Sequence, residues 1–513
     1  MSEPRLDIDR LKVKDLVESY RTGKLVIPEF QREYVWKPSR APKLLDSLYR
    51  GFPVSVLLTW CSEAETRPRR AVPRPTRGSS VSWLIDGQQR VITLSRALNS
   101  EEGIEVVFHP EQNEFRLANA ATRKDTNWIK VADLMDDDSY RHIRRTLPEG
   151  SRGVQREARF DAVRRILDYE IPCVRMIDHS FDDAVNAFTR INTLGVRLKR
   201  EDIESARVAA RHSGFIADEV SPFLAQVRKD GFTRLNIMHL FRACAYVAIP
   251  DGRSRTPLHE LSRQDVSTAW GRTQRATEAA IALVRNQFGL MNSDLLPSGA
   301  LMVPVIALCA TKSRELDHKA VAGWLAMAAL LHRYSGAAES ALDQDLRACR
   351  TQDWIGGLLS NVRRSVGGFG AIADDFKAPL MDRGALFGAY VACRHRGLTD
   401  LFSGSRLMLQ ANVDRHHVLP RAQFAEKARP SADCVANIAF VSAQANRSVG
   451  AASPDVYLGR IADEVLTSQC IPGDRALWRI ERAGDFWEAR REMLAEAFNG
   501  FLQDALPTRR IDA

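Results

Sequence analysis

The sequence predicts a multidomain α+β protein: a mixed α/β amino-terminal domain, an α-helical middle domain, and a carboxy-terminal module of two short strands and a helix. Three observations predict it. Apolar runs of strand length alternate with helical periodicity up to about residue 205, helical spacing dominates from 206 to 395, and short strands return after 396. The 513 residues suffice for about three domains, each with its own core. A composition of 45% hydrophobic and 27% charged residues excludes a wholly disordered, collagenous or coiled-coil chain.

In the first domain, residues 1–205, Leu25–Pro28, Val54–Trp60, Val81–Ile85, Ile104–Phe108 and Ile171–Ile177 read as strands. Leu44, Leu45 and Leu48 stand at helical spacing before Gly51 stops the helix. Phe181–Ile191 has helical periodicity behind Asp182 and Asp183, whose carboxylates suit a helix start. Asn192 and Gly195 are expected to shape a loop after it. In the middle domain, residues 206–395, helices are expected at Asn236–Val247, Asp265–Phe288, Leu301–Ala310, His318–Tyr334 and Ala338–Leu359. The last domain, residues 396–513, offers strands at Val413–Leu419 and Asn437–Val441, and a helix starting at Ala443–Arg447. Its amphipathic tail, Ala476–Leu506, has Trp478, Trp487 and Phe498 as core anchors.

No run approaches the roughly 18 apolar residues a membrane span needs, and Met1–Arg10 lacks a signal-peptide core, so a cytoplasmic protein without a membrane partner is expected. Eight cysteines lie far apart without a Cys-x-x-Cys pair, which predicts reduced, mostly buried thiols and no structural zinc. The net charge is +9, and only 13 of the 73 basic residues are lysine. Guanidinium groups pair bidentately with phosphate, so this balance supports a nucleic-acid partner. Residues 66–80 hold Arg67, Arg69, Arg70, Arg74 and Arg77 among three prolines, with no apolar residue larger than Val72. Such a segment reads as a basic loop that contacts a DNA backbone or as a solvated insertion.

The densest chemical signal is Asp414-Arg415-His416-His417-Val418-Leu419-Pro420, followed by Asn437 and Asn446. Neighbouring strand residues point to opposite faces, so the two imidazoles cannot both face one site in a regular strand; a bend at the strand end near Pro420 would let one bind a metal while the other faces the scissile bond. These residues resemble the HNH, or ββα-metal, nuclease family, in the DUF1524-like form fused behind DUF262 domains. The resemblance covers about fifty residues. It implies that His416 ligates a divalent ion, Mg2+ or Mn2+, that His417 is the general base, that Asn437 braces the catalytic loop, and that Asn446 completes the metal site. Asp414 is either a further ligand or an orienter of a histidine.

Three segments stand out in the first domain: residues 27–36 with Gln31 and Arg32, Asp86-Gly87-Gln88-Gln89-Arg90, and Phe188–Val196. Gly87 sits at a strand-to-helix turn, where backbone amides can meet an anion beside an acid, two amides and a guanidinium. No G-x-x-x-x-G-K-[ST] occurs, which excludes an ordinary P-loop. The segments resemble the DUF262 family, whose domain is similar to the ParB and sulfiredoxin fold and carries an Asp-Gly-Gln-Gln-Arg motif linked to nucleotide hydrolysis. The resemblance implies an NTP, whether GTP, ATP or CTP, bound by Gln31, Arg32, Asp86, Gly87, Gln88, Gln89 and Arg90.

The two ends together resemble the GmrSD-type and SspE-type enzymes that protect bacteria from phage. That resemblance implies a modification-dependent endonuclease that nicks or cleaves modified or phage DNA under nucleotide control. Further implied partners are a second copy of the chain and DNA-modification proteins of the same defence system. The competing expectations are a non-catalytic DNA-binding regulator and an HNH ribonuclease or toxin acting on host RNA.

Overall fold

The computed structural model describes residues 4–28, 31, 34, 36–61, 81–101, 103–194, 200–212, 214–249, 257–336, 338–366, 370–407, 413–442 and 453–506. The chain forms two compact units, Met1–Val220 and Ser221–Ala513. Residues 396–513 lie in the second of these units.

The amino-terminal unit is built on a five-stranded sheet. It begins with β1 (Arg5–Lys12), α1 (Val13–Arg21), β2 (Leu25–Val26), α2 (Arg40–Tyr49), β3 (Leu57–Cys61), β4 (Ser82–Asp86) and α3 (Gln88–Asn99). A three-stranded sheet of β5 (Val106–His109), β6 (Glu114–Leu117) and β7 (Ile129–Lys130) follows, and then β8 (Glu170–Ile177) and α4 (Phe181–Leu194). The large sheet has the order β1-β8-β3-β4-β2. Strand β3 runs parallel to β8 and antiparallel to β4, so β4 ends beside the loop that leads into β3.

Helices α1, α2 and α3 bury Leu16, Leu45 and Leu94 against Leu57 and Leu84 of the sheet. The expected leucine face of α2 is the buried one, and Gly51, at φ +72°, follows its end. Strand β1 was not foreseen: its Leu6 and Ile8 face solvent, and Asp7 and Asp9 both pair with Arg175 of β8. Helix α4 runs through Leu194, which places Asn192 within a helix, while Gly195 lies outside the described residues.

In the second unit, α5 (Ile237–Ala248), α6 (Arg263–Phe288), α7 (Met302–Thr311), α8 (His318–Leu330), α9 (Ala338–Arg350), α10 (Trp354–Val366) and α11 (Arg383–His395) are the main helices before the hairpin. Asn236 caps α5, its side chain accepting from the His239 amide at 3.0 Å. Helix α8 is buried on every face from Ala320 to Leu330. One expected helix is two, α9 and α10, because Thr351 bonds back to the Ala348 carbonyl and Asp353 accepts from the Gly356 amide at the start of a new helix.

The hairpin of β9 (Val413–His417) and β10 (Ile438–Ser442) is followed by the short α12 (Pro454–Leu458) and the long α13 (Ala483–Ala505). Trp478 and Phe486 fill a core with Val418, Leu419, Ala439, Val441 and Leu458. Phe498 is buried as expected, while Trp487 is half-buried and stacks on Phe424 at 5.9 Å. The tail helix starts at Ala483, with two short 3-10 turns before it. All eight cysteines are free and six are buried. Among the described residues, no helix is long and apolar enough to cross a membrane.

Candidate functional site

The β9–β10 hairpin puts His417 opposite Ile438, His416 opposite Ala439 and Asp414 opposite Val441. Strand β9 is regular through His417, so Asp414 and His416 share one face and His417 occupies the other. The expected bend at Pro420 comes after both histidines. His416 sits in an aromatic corner, with its ring edge-on to Phe402 at 5.1 Å and to Tyr457 of α12 at 6.2 Å. Tyr457 also donates to the Val418 carbonyl, which ties α12 to the end of the hairpin.

Asn437 lies immediately before β10 and is fully buried. Its Oδ1 accepts from the Leu419 amide at 2.9 Å, and its Nδ2 donates to the carbonyls of Leu419 at 3.0 Å and Ala432 at 2.9 Å. The amide therefore staples the chain just after His417 to the turn before β10. This is loop bracing through the backbone, with the side chain facing inward.

Arg490 of α13, also fully buried, holds the same turn from behind. Its guanidinium donates to the carbonyls of Ala436 at 2.9 Å, Ile438 at 2.6 Å, Gln469 at 3.0 Å and Cys470 at 3.2 Å. Burial pushes its pKa below the usual arginine value, with nearby thiols and a phenol opposing that. Further along β10, Gln469 accepts from the Phe440 amide and donates to the Phe440 carbonyl. The Ser442 amide donates to Asp400 at 2.6 Å. Burial raises the Asp400 pKa, but backbone donors from Ser442, Ser403 and Phe402 outweigh it and hold the carboxyl below its ordinary value.

On the other face, His417 Nε2 stands 2.9 Å from Asp433 Oδ1, and Arg421 Nε stands 3.1 Å from Asp433 Oδ2. The sequence reading missed Asp433, Tyr457 and Arg490. Asp433 reaches His417 only because the chain between 418 and 437 folds back on itself, and its place between motif residues carries no periodic signal. Asn446 lies outside the described residues. Among the described residues, no three His, Cys, Asp or Glu side chains gather as a metal cluster. The donors placed here are the carboxylate of Asp414 and the imidazole of His416 on one strand face.

In the amino-terminal unit, β4 ends at Asp86 and α3 begins at Gln88, so Gly87 is the hinge. Its φ is +101°, and a Cβ there would lie 2.2 Å from Leu57 Cδ2. Only glycine fits both requirements. Arg90 turns inward: Nη1 donates to the Val54 carbonyl at 2.7 Å, and Nη2 donates to Val56 at 2.8 Å and to Asp86 Oδ2 at 3.2 Å. Burial lowers its pKa and Asp86 opposes the shift.

Gln88 and Gln89 are buried as well, and Gln89 Oε1 accepts from the Trp36 amide at 3.2 Å. Gln31 donates to the Leu84 carbonyl. These bonds tie Trp36 to α3, Gln31 to β4, and the 54–56 loop to Arg90. Asp86 is the motif's more open group, 34% exposed at the side chain. It borders a largely apolar cavity of about 500 Å³ that Leu6, Val56, Met176 and Ile191 also line. The second and third sequence segments thus meet there, through Asp86 and α4. Arg32, Arg67, Arg69, Arg70, Arg74 and Arg77 lie outside the described residues.

No curated protein matches the chain. Residues 13–209, which run from α1 through the Asp86 turn and past α4, match the family model of the GmrSD restriction endonuclease N-terminal domain, so the amino-terminal unit is similar to that domain.

Proposed function

We propose that the chain is a metal-dependent DNA endonuclease of bacterial anti-phage restriction, cutting at the β9–β10 hairpin under the control of a nucleotide site at the Asp86 turn. The observation that carries this reading is the stapled end of the hairpin. Asn437 clamps the chain directly after His417, where an HNH nuclease has its bracing amide and its base. The family match over residues 13–209 supports the restriction setting and a DNA partner; that this DNA is modified or phage-derived is part of the proposal.

In this reading His417 accepts a proton from water while the water oxygen bonds to phosphorus. The bond from phosphorus to the 3′ oxygen breaks, and that oxygen takes a proton from solvent, leaving a 5′-phosphate and a 3′-hydroxyl. Asp414, His416 and Asn446 are donor types that suit one hard divalent cation, Mg2+ or Mn2+; Asp414 and His416 lie on the strand face opposite His417, so a phosphate served by both would lie across the end of β9, where His417 is the last residue. When bound, the cation supplies positive charge beside the phosphate. Asp86 is the side chain assigned to the nucleotide, and Gly87, Gln31, Gln88, Gln89 and Arg90 shape its turn.

The test incubates the purified protein with modified and unmodified plasmids, with Mg2+ or Mn2+, with and without GTP, ATP or CTP. Metal-dependent nicking or cleavage that His417→Ala abolishes, with nucleotide hydrolysis intact, is the expected result. Equal cutting by His417→Ala, or no cutting under any condition, refutes the nuclease assignment. Undiminished nucleotide turnover in Asp86→Ala refutes the regulatory site.

A further inference from the structure

We infer that Asp433 is the positioning residue for His417: it fixes the imidazole with its proton on Nε2 and leaves Nδ1 as the nitrogen that accepts a proton. This rests on the nuclease reading above and specifies which atom of that site does the work.

The argument begins with what a carboxylate can do. Its oxygens accept and do not donate, so a 2.9 Å contact from His417 Nε2 to Asp433 Oδ1 requires hydrogen on Nε2. In a neutral ring with one N–H, the lone pair is then on Nδ1. The contact also fixes the plane of the ring, because an N–H···O bond of this length weakens steeply as it bends.

Asp433 is itself held from three directions. Its amide donates to the Pro430 carbonyl at 3.2 Å, and its carbonyl accepts from the Leu380 amide at 2.9 Å. Its second carboxylate oxygen meets Arg421 Nε at 3.1 Å. Backbone anchors and the guanidinium stop the carboxylate from following a rotating imidazole. His417 is 27% exposed at the side chain, so one edge of the ring is supported while solvent still reaches it. A bond confined to the protein interior would not leave that access.

The experiment has one arm that needs no catalysis. Long-range 1H–15N spectra of the full-length, histidine-labelled, metal-free protein at pH 8 report which ring nitrogen of His417 bears hydrogen, with His417→Gln assigning the signal. Hydrogen on Nε2, lost as a single form in Asp433→Ala, is expected; hydrogen on Nδ1 in the wild-type chain overturns the inference.

In the kinetic arm, Asp433→Ala lowers kcat about 10- to 100-fold at unchanged KM, the range typical of losing an orienting partner. Asp433→Asn combined with Arg421→Met restores most of kcat, since the amide oxygen can face His417 once its NH2 no longer meets the Arg421 N–H. A kcat within twofold of wild type in Asp433→Ala, or failure of that rescue in a protein that melts normally, overturns the role. His417→Ala cutting at the wild-type rate would instead reject the nuclease reading and leave the spectroscopic result standing.

Discussion

Replacing Arg490 by methionine keeps an unbranched apolar stem in α13 and removes every donor that the guanidinium supplies. Four carbonyls, of Ala436, Ile438, Gln469 and Cys470, lose their partner at once. At about 1 kcal/mol for each stranded acceptor, the lower end of the usual range, the loss is about 4 kcal/mol. Removing a fully buried charge relieves its own desolvation, which offsets part of that and leaves about 2–4 kcal/mol. Arg490→Lys is expected to recover less than half, because an ammonium is a compact charge without the planar fork that spans four acceptors.

Hydrogen exchange of the β10 amides, with urea unfolding of the full chain, measures both variants. Exchange should accelerate first at 438–442, before the helical part of the unit responds. If Arg490→Met loses less than about 1 kcal/mol and β10 stays protected, the guanidinium is not what holds the hairpin, and the reasoning fails.

Three further outcomes follow from the same geometry. Gly87→Ala combines a φ of +101° with a Cβ 2.2 Å from Leu57, so it should lower the melting temperature of the amino-terminal unit by the equivalent of about 2 kcal/mol or more; an unchanged melt would mean that the turn re-forms. Asn437→Ala strands the Leu419 amide and two carbonyls in a dry site, with an expected cost of about 3 kcal/mol and loss of cleavage; a variant with normal melting and cutting would remove the bracing role.

The third concerns pH. Burial holds the His239 pKa down at about 4 against 6.5 in an open chain, so on acidification the unfolded state takes up the proton first. Stability is then full above pH 6.5 and falls progressively between 6.5 and 4, by up to about 3 kcal/mol; His239→Gln should flatten that part of the melting profile, and a wild-type slope in the variant would exclude it.

Much of the architecture was legible because apolar period tracks burial. The leucines of α2, the helices from α5 to α8, and the strand and helix on either side of Gly87 follow from spacing alone. Strand β1 did not, because its charge alternation reads as polarity until Arg175 of the neighbouring strand accounts for Asp7 and Asp9. The break between α9 and α10 depends on two short side chains bonding locally to the backbone, a competition that hydrophobic period does not register.

At the sites, residue types were readable and orientations were not. Arg90 and Gln89 of the Gly87 turn look from sequence like part of an anion cradle, yet Arg90 donates inward to the Val54 and Val56 carbonyls and Gln89 accepts from the Trp36 amide. Asn437 was expected to brace a catalytic loop; its buried side chain bonds to the backbone of Leu419 and Ala432. Asp433 belongs to the tertiary fold alone.

Ribbons of two strands ordinarily offer their outer backbone to any extended peptide that drifts past. Here side chains from three separate places stand in for a missing third strand: Arg490 on the Ile438 carbonyl, Gln469 on both polar groups of Phe440, and Asp400 on the Ser442 amide. That seal forbids growth by strand addition, so copies of this chain cannot stack into a continuous sheet through β10. Gln469→Leu would reopen the seam, and sedimentation would then reveal self-association that the native protein's β10 is built to prevent.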